Sequence, residues 1–171
     1  MLFCKSVRHN SMVASIAMSD RPAEDPTPAD VAAAMYARDH AAQALGITLQ
    51  SIASGRATMS MRVRPDMIQG HGSCHGGLIF SLADTAFAYA CNTYNNVTVA
   101  GACSIEFLRP AFLDDALTAV ATETATVGRN GVYDIRVHNQ RGEIIATFRG
   151  KSVALKDKVI GASVVKSFPP T

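Results

Sequence analysis

The chain has 171 residues, 48% of them hydrophobic, which suits one compact domain with a substantial buried core. Sixteen Lys and Arg against 14 Asp and Glu leave a formal charge of +2, too small a surplus to draw the chain to nucleic acid or to an anionic membrane surface. No window approaches the roughly 18 apolar residues of a membrane span, and the widely spaced Cys4, Cys74, Cys91 and Cys103 form no C-x-x-C pair, so a soluble cytoplasmic protein with reduced thiols is expected rather than a disulfide framework.

Residues 1–27 read as a flexible N-terminal extension. Lys5, Arg8 and His9 precede a short apolar patch at 12–18, a weak match to a signal or transit peptide because Ser15 interrupts it. Three prolines and two acids in 21–28 lead into the folded part. Thr27 offers an N-cap, Pro28 fits the first helical position and Asp30 fits a capping box, predicting a helix over 28–45 that Gly46 ends. Ala57, Met59, Met61 and Val63 alternate with Arg56, Thr58, Ser60 and Arg62, the period of a strand with one buried face; residues 47–52 should pair with it across Ser54-Gly55.

The run GHGSCHGGLIFSLAD at 70–84 is the most informative part of the chain. It sets two histidines and a diglycine directly before a helix that is apolar on nearly every side, a helix enclosed by other structure and ending near 92–96. Strands follow at 97–108, 116–127, 132–139 and 144–155, with Asn130-Gly131 and Gln140-Arg141-Gly142 as hairpin turns. Residues 157–171 read as a tail. The expected architecture is α+β: one antiparallel sheet of about six strands curled around the second, long helix over 28–156.

A helix start offers backbone N–H groups without partners and the positive end of a dipole. Gly76 and Gly77 leave that end open to a carbonyl oxygen, as the oxyanion hole of acyl transfer requires, where one donor is worth about 10² to 10³ in rate. Tight packing of the helix start on a strand would equally demand glycine. Asp84 is the carboxylate of this helix; apolar surroundings should raise its pKa, and it could act as nucleophile, as general base, or merely as a loop cap or the partner of an arginine. Eight residues at about 1.5 Å each put Gly76 roughly 12 Å from Asp84, too far for both to reach one carbonyl. If both are catalytic, two antiparallel helices must meet across a two-fold axis and a homodimer is a mechanical requirement. His71, Cys74 and His75 lack a fourth donor and do not match zinc spacings, so no metal is expected.

Residues 71–92 (HGSCHGGLIFSLADTAFAYACN), together with SIEFLRPAF at 104–112, GVYDIRVHNQ at 131–140 and FRGKS at 148–152, resemble the PaaI group of hotdog-fold thioesterases of phenylacetate degradation. The resemblance spans about 29–155. It implies a hotdog fold, a homodimer with joined sheets and often a homotetramer, no cofactor, and aryl or hydroxyphenylacetyl thioesters of coenzyme A as substrates. Gly76 then matches the glycine whose N–H polarises the thioester carbonyl, Asp84 the helix carboxylate, and His75 the histidine before the glycine. Gln69 stands where an asparagine is frequent, and keeps the amide with one more methylene. Arg109, Arg129, Arg149 and Lys151, at strand ends and hairpins, are candidates to meet the phosphates, with Gly77 beside the thioester. A non-catalytic acyl-CoA-binding protein is the alternative of another class; a dehydratase would need a histidine inside the apolar helix, and none is there.

Overall fold

A computed structural model describes residues 25–161. The possible targeting segment at the N-terminus and the end of the chain beyond Gly161 lie outside the described residues. In order, the elements are α1 (Pro28–Tyr36), α2 (His40–Leu45), β1 (Thr48–Ala53), β2 (Arg56–Arg62), a 3-10 turn (Pro65–Met67), α3 (Gly76–Asn92), β3 (Asn96–Phe107), β4 (Ala116–Val127), β5 (Asn130–His138) and β6 (Ile144–Lys158). The six strands form one antiparallel sheet in the order β1-β2-β4-β5-β6-β3, so β1 and β3 are its edges. No helix among the described residues is long and apolar enough to cross a membrane.

The Thr27/Asp30 capping box forms, with the Asp30 N–H donating to Thr27 Oγ1 at 3.2 Å and the Thr27 N–H to Asp30 Oδ2 at 2.9 Å. The helix expected to run to Leu45 instead breaks after Tyr36. Asp39 takes the N-cap of a new helix, its Oδ1 accepting from the Ala42 N–H at 2.9 Å, because a short carboxylate competes for backbone donors better at a cap than inside a helix. Gly46 ends α2 at φ +70°, as expected. The β4–β5 turn also differs from expectation: Val127 pairs with Asn130, so Gly128-Arg129 make the turn, with Gly128 at φ +59°.

The concave face of the sheet closes on α3. Ala57, Met59 and Met61 of β2 alternate inward and are buried, and Ile79, Leu82, Ala83, Ala86, Phe87 and Ala90 of α3 lie in the same core. Alanines let the helix sit close to the strands. At Gly150 of β6 the fit is complete: a Cβ there would stand 2.8 Å from the Phe87 ring. Phe87 in turn meets Tyr133 edge-to-face, with ring centroids 5.5 Å apart. The far end of α3 is tied to edge strand β3 by Asn92, whose Nδ2 donates to the Thr98 and Ala88 carbonyls and whose Oδ1 accepts from the Thr98 N–H, each at 2.9 Å.

One stripe of α3 stays outside this core. Ser81, Asp84, Thr85 and Ala88, at the i, i+3, i+4 and i+7 positions of one helix face, are half-buried. The hydroxyls of Ser81 and Thr85 donate back to the carbonyls of Gly77 and Ser81, so Asp84 is the one member of the stripe that carries charge.

Candidate active site

The loop before α3 is held from three sides. The Gln69 N–H donates to the Ser73 carbonyl at 2.9 Å, the Cys74 N–H to the Ala111 carbonyl at 2.8 Å and the His75 N–H to the Met67 carbonyl at 2.9 Å. Gly72, at φ +78°, makes the reversal possible. The Gln69 side chain folds over this turn, its Nε2 donating to Ser73 Oγ at 3.2 Å. Pinned in this way, the loop delivers the chain into α3 in a fixed direction.

His75 is the N-cap of α3, and its Nδ1 accepts from the Gly77 N–H at 3.0 Å. An accepting Nδ1 carries no proton, so the neutral ring has its proton on Nε2. The side chain therefore organises the helix start, and the Gly77 amide is taken. Among the described residues nothing accepts from the Gly76 N–H, which leaves it as a free donor at the positive end of the dipole. The Phe107 ring at the end of β3 lies close by, 3.2 Å from where a Cβ on Gly76 would stand.

Asp84 lies two turns further along α3. Its carboxyl is pushed above the usual aspartate range by burial. Among the described residues no arginine, lysine or backbone N–H pairs with it; its neighbour is Cys103 of β3, with Sγ 4.0 Å from Oδ1. A half-buried carboxylate with no cationic partner is costly as structure and useful as chemistry. Burial, and next the Asp84 charge, push the Cys103 thiol up as well, so it stands beside the carboxylate as a neutral group.

Gln69, His75, Gly76 and Gly77 thus cluster at the start of α3, while Asp84 stands apart on the same helix. Arg109 is exposed just past β3, donating through Nη1 to the Ile144 carbonyl at 3.2 Å, close in sequence to the Phe107 that covers Gly76. Arg129 is exposed in the β4–β5 turn toward the other end of α3. Lys151 is exposed on β6, and its neighbours Gly150 and Ser152 take the concave positions, so Lys151 points from the outer face. Arg149 shares that face in a two-pronged pair with Asp134 at 2.7 and 2.9 Å. Among the described residues no group of three His, Cys, Asp or Glu stands together to hold a metal.

Cys103 and Phe107 escape a reading of the sequence. Period-two alternation along 97–108 offers two faces, and only the pairing of β3 with β6 decides which one meets α3.

Residues 71–146 match the family model described as Thioesterase superfamily. Acyl-coenzyme A thioesterase PaaI of Escherichia coli K12 is 50% identical over 128 residues, covering 75% of this chain and 91% of that one. The chain belongs to the PaaI-type hotdog-fold thioesterases. The structure of the E. coli PaaI protein from the phenylacetic acid degradation operon superposes with a TM-score of 0.76 at 49% identity, covering 77% of this chain and 95% of that one. A mutant of the phenylacetic acid degradation protein PaaI from Thermus thermophilus gives 0.64 at 34% identity, covering 67% and 97%. The six-stranded sheet around α3 is therefore a hotdog, and the enzyme is a thioester hydrolase.

Proposed function

We propose that the thioester hydrolysed is an aryl-acyl coenzyme A, phenylacetyl or hydroxyphenylacetyl, and that each site is shared by two copies of the chain. The observation that carries this reading is the separation on one helix of a free amide and an unpaired carboxylate. Gly76 N–H and Asp84 have complementary tasks, stabilising an oxyanion and supplying a nucleophile or base, yet eight residues at about 1.5 Å each keep them apart within one chain. Two α3 helices laid antiparallel about a two-fold axis near residue 80, midway between the two groups, bring the Gly76 of one copy to the Asp84 of the other, twice.

Edge strand β3 supports the pairing. It is 12 residues long, largely exposed, and shows Val99 and Phe107 to solvent, an open edge that natural proteins cover or pair. Joining two such edges gives one continuous sheet in a homodimer, which can pair again into a homotetramer.

In the nucleophilic form of the mechanism Asp84 attacks the thioester carbon and the carbonyl oxygen takes up negative charge at the Gly76 N–H. The coenzyme A thiolate then leaves, and water hydrolyses the acyl-aspartyl anhydride to free acid. In the general-base form Asp84 draws a proton from water, which attacks the same carbon. His75 holds the donor end in shape, and Gln69 and Gly77 frame the thioester. Arg109, Arg129 and Lys151 are the exposed basic side chains offered to the phosphates, and the reaction needs no cofactor. The E. coli relative's place in a phenylacetic acid degradation operon supports the aryl-acyl class, and a coenzyme A thioester as substrate fits a cytoplasmic setting.

The test is a panel of coenzyme A thioesters assayed with parent and Asp84→Asn. The expected outcome is fastest turnover of phenylacetyl-type esters by the parent, and loss of nearly all turnover in the amide variant. Equal rates in the two proteins would reject Asp84, and a parent that binds the esters without cleaving any would favour a binding protein.

A further inference from the structure

A carboxylate that works through water must have that water in a fixed pose, and the turns of α3 around Asp84 offer few groups to fix it. Residues three or four positions apart share a helix face, so the neighbours of Asp84 along α3 are Phe80, Ser81, Phe87 and Ala88. Phe87 is buried against Tyr133, and Phe80 packs edge-to-face on Phe148 with ring centroids 5.3 Å apart. Ala88 has no polar group. Ser81 is the one polar side chain of the four, half-buried on the open stripe. Thr85 is adjacent in sequence, but consecutive residues of a helix do not face each other. From β3 the Cys103 thiol stands 4.0 Å from Oδ1, and it is neutral.

The Ser81 hydroxyl carries one proton, which it donates to the Gly77 carbonyl at 2.9 Å. Its oxygen therefore presents only lone pairs to its surroundings, and an ionised Asp84 likewise only accepts. Side chains lean toward the N-terminus of a helix, which brings the Asp84 carboxylate back over the turn that carries Ser81. Neighbours of this spacing have Cβ atoms about 5 to 6 Å apart, and two hydrogen bonds of about 2.8 Å in series cover the same gap. A water between them would donate one proton to each oxygen and keep its lone pairs free, the pose of a nucleophile.

We propose that Ser81 is a positioning residue for hydrolysis: with Asp84 it holds a water by both protons and aims the water oxygen at the thioester carbon, whose own oxygen rests on the partner's Gly76 N–H. The inference rests on the shared-site thioesterase reading above and selects its general-base form. Asp84 takes one proton as the water oxygen bonds to the carbon. The carbon–sulfur bond then breaks, and Asp84 returns that proton to the departing thiolate. The second proton stays on the new carboxylic acid, held toward Ser81 until the product leaves.

Ser81→Ala, Ser81→Thr and the double variant Ser81→Ala/Asp84→Asn test it, with the fastest ester of the panel above. Ser81→Ala should lower kcat about tenfold, the size of one hydrogen bond in the transition state. KM and the melting temperature should stay near the parent's, since the Gly77 carbonyl keeps its helical bond from the residue 81 N–H. Ser81→Thr keeps the hydroxyl, in the pose Thr85 adopts when it donates to the Ser81 carbonyl at 2.8 Å, and should recover most of the loss. In the double variant the alanine should cost nothing beyond Asp84→Asn, because the water has already lost its base. Rapid mixing of Ser81→Ala should release coenzyme A without a burst. An unchanged kcat in Ser81→Ala, or a loss that threonine does not recover, overturns the role of Ser81 while the thioesterase reading stands. A burst of coenzyme A followed by slow turnover means that an acyl-aspartyl anhydride forms first, and overturns direct attack by the held water. A parent inert toward every ester overturns the shared-site reading, and the role of Ser81 with it.

Discussion

At the scale of single residues, Asp84 sets two opposing effects of one charge. Burial favours its protonated form, so its pKa in the folded chain lies above the ordinary 3.8. A nucleophile or base works ionised, which moves the acid limb of the kcat/KM profile above the pH at which a solvated aspartate would titrate. For stability the sign is reversed. A raised folded-state pKa gives a contribution that is complete below the unfolded value and is lost as pH rises through the folded one, so at neutral pH the ionised group costs stability. Asp84→Asn should therefore melt at the same temperature as the parent or higher at pH 7 while losing turnover. Thermal melts beside a pH–rate profile check both halves. A variant that loses activity and stability together would show Asp84 to be a structural residue.

At the scale of elements, the hold of α3 on β3 depends on one side chain. Asn92 is 5% exposed and makes hydrogen bonds to both backbone groups of Thr98 as well as to the Ala88 carbonyl. Asn92→Ala would leave the Thr98 N–H and C=O without these partners, and the expected loss is about 2 to 3 kcal/mol in urea unfolding with little change in the slope. The elements also show what a sequence can and cannot reveal. The start of α3 is legible because its signals are local: a cap, two glycines, and a long apolar run that only enclosure explains. Asp39 is hidden because inside an amphipathic pattern it looks like an ordinary polar position, and only the bond to Ala42 makes it a cap. Asn130-Gly131 misleads for a more instructive reason. Its glycine answers to packing against Ser152 and Tyr133, while the turn itself belongs to Gly128 three residues earlier. In the candidate site the same division holds. His75, Gly76 and Asp84 lie within ten residues and announce themselves, whereas Cys103 and Phe107 come from β3 and depend on register.

At the scale of the whole molecule, the shared site makes a quantitative claim about mixtures. Each copy would lend its Gly76 end to one site and its Asp84 to the other, so two dead variants with different lesions can repair each other. Asp84→Asn retains a sound helix start. Gly76→Ala retains Asp84 but places a methyl, 3.2 Å from the Phe107 ring, where a carbonyl oxygen would approach the Gly76 N–H. In a hybrid of the two, one site receives both lesions and the other receives neither. Random pairing makes half of the dimers hybrids, so co-expression of equal amounts should restore about a quarter of the parent's activity from two proteins that are each nearly inactive. Separately tagged copies, purified through both tags, should reach about half. If each site lay within one chain, every site in the mixture would keep its own lesion and activity would stay at the level of the two variants alone. Light scattering of the same samples ties the result to assembly, because recovery requires that the mixed material be dimeric or larger.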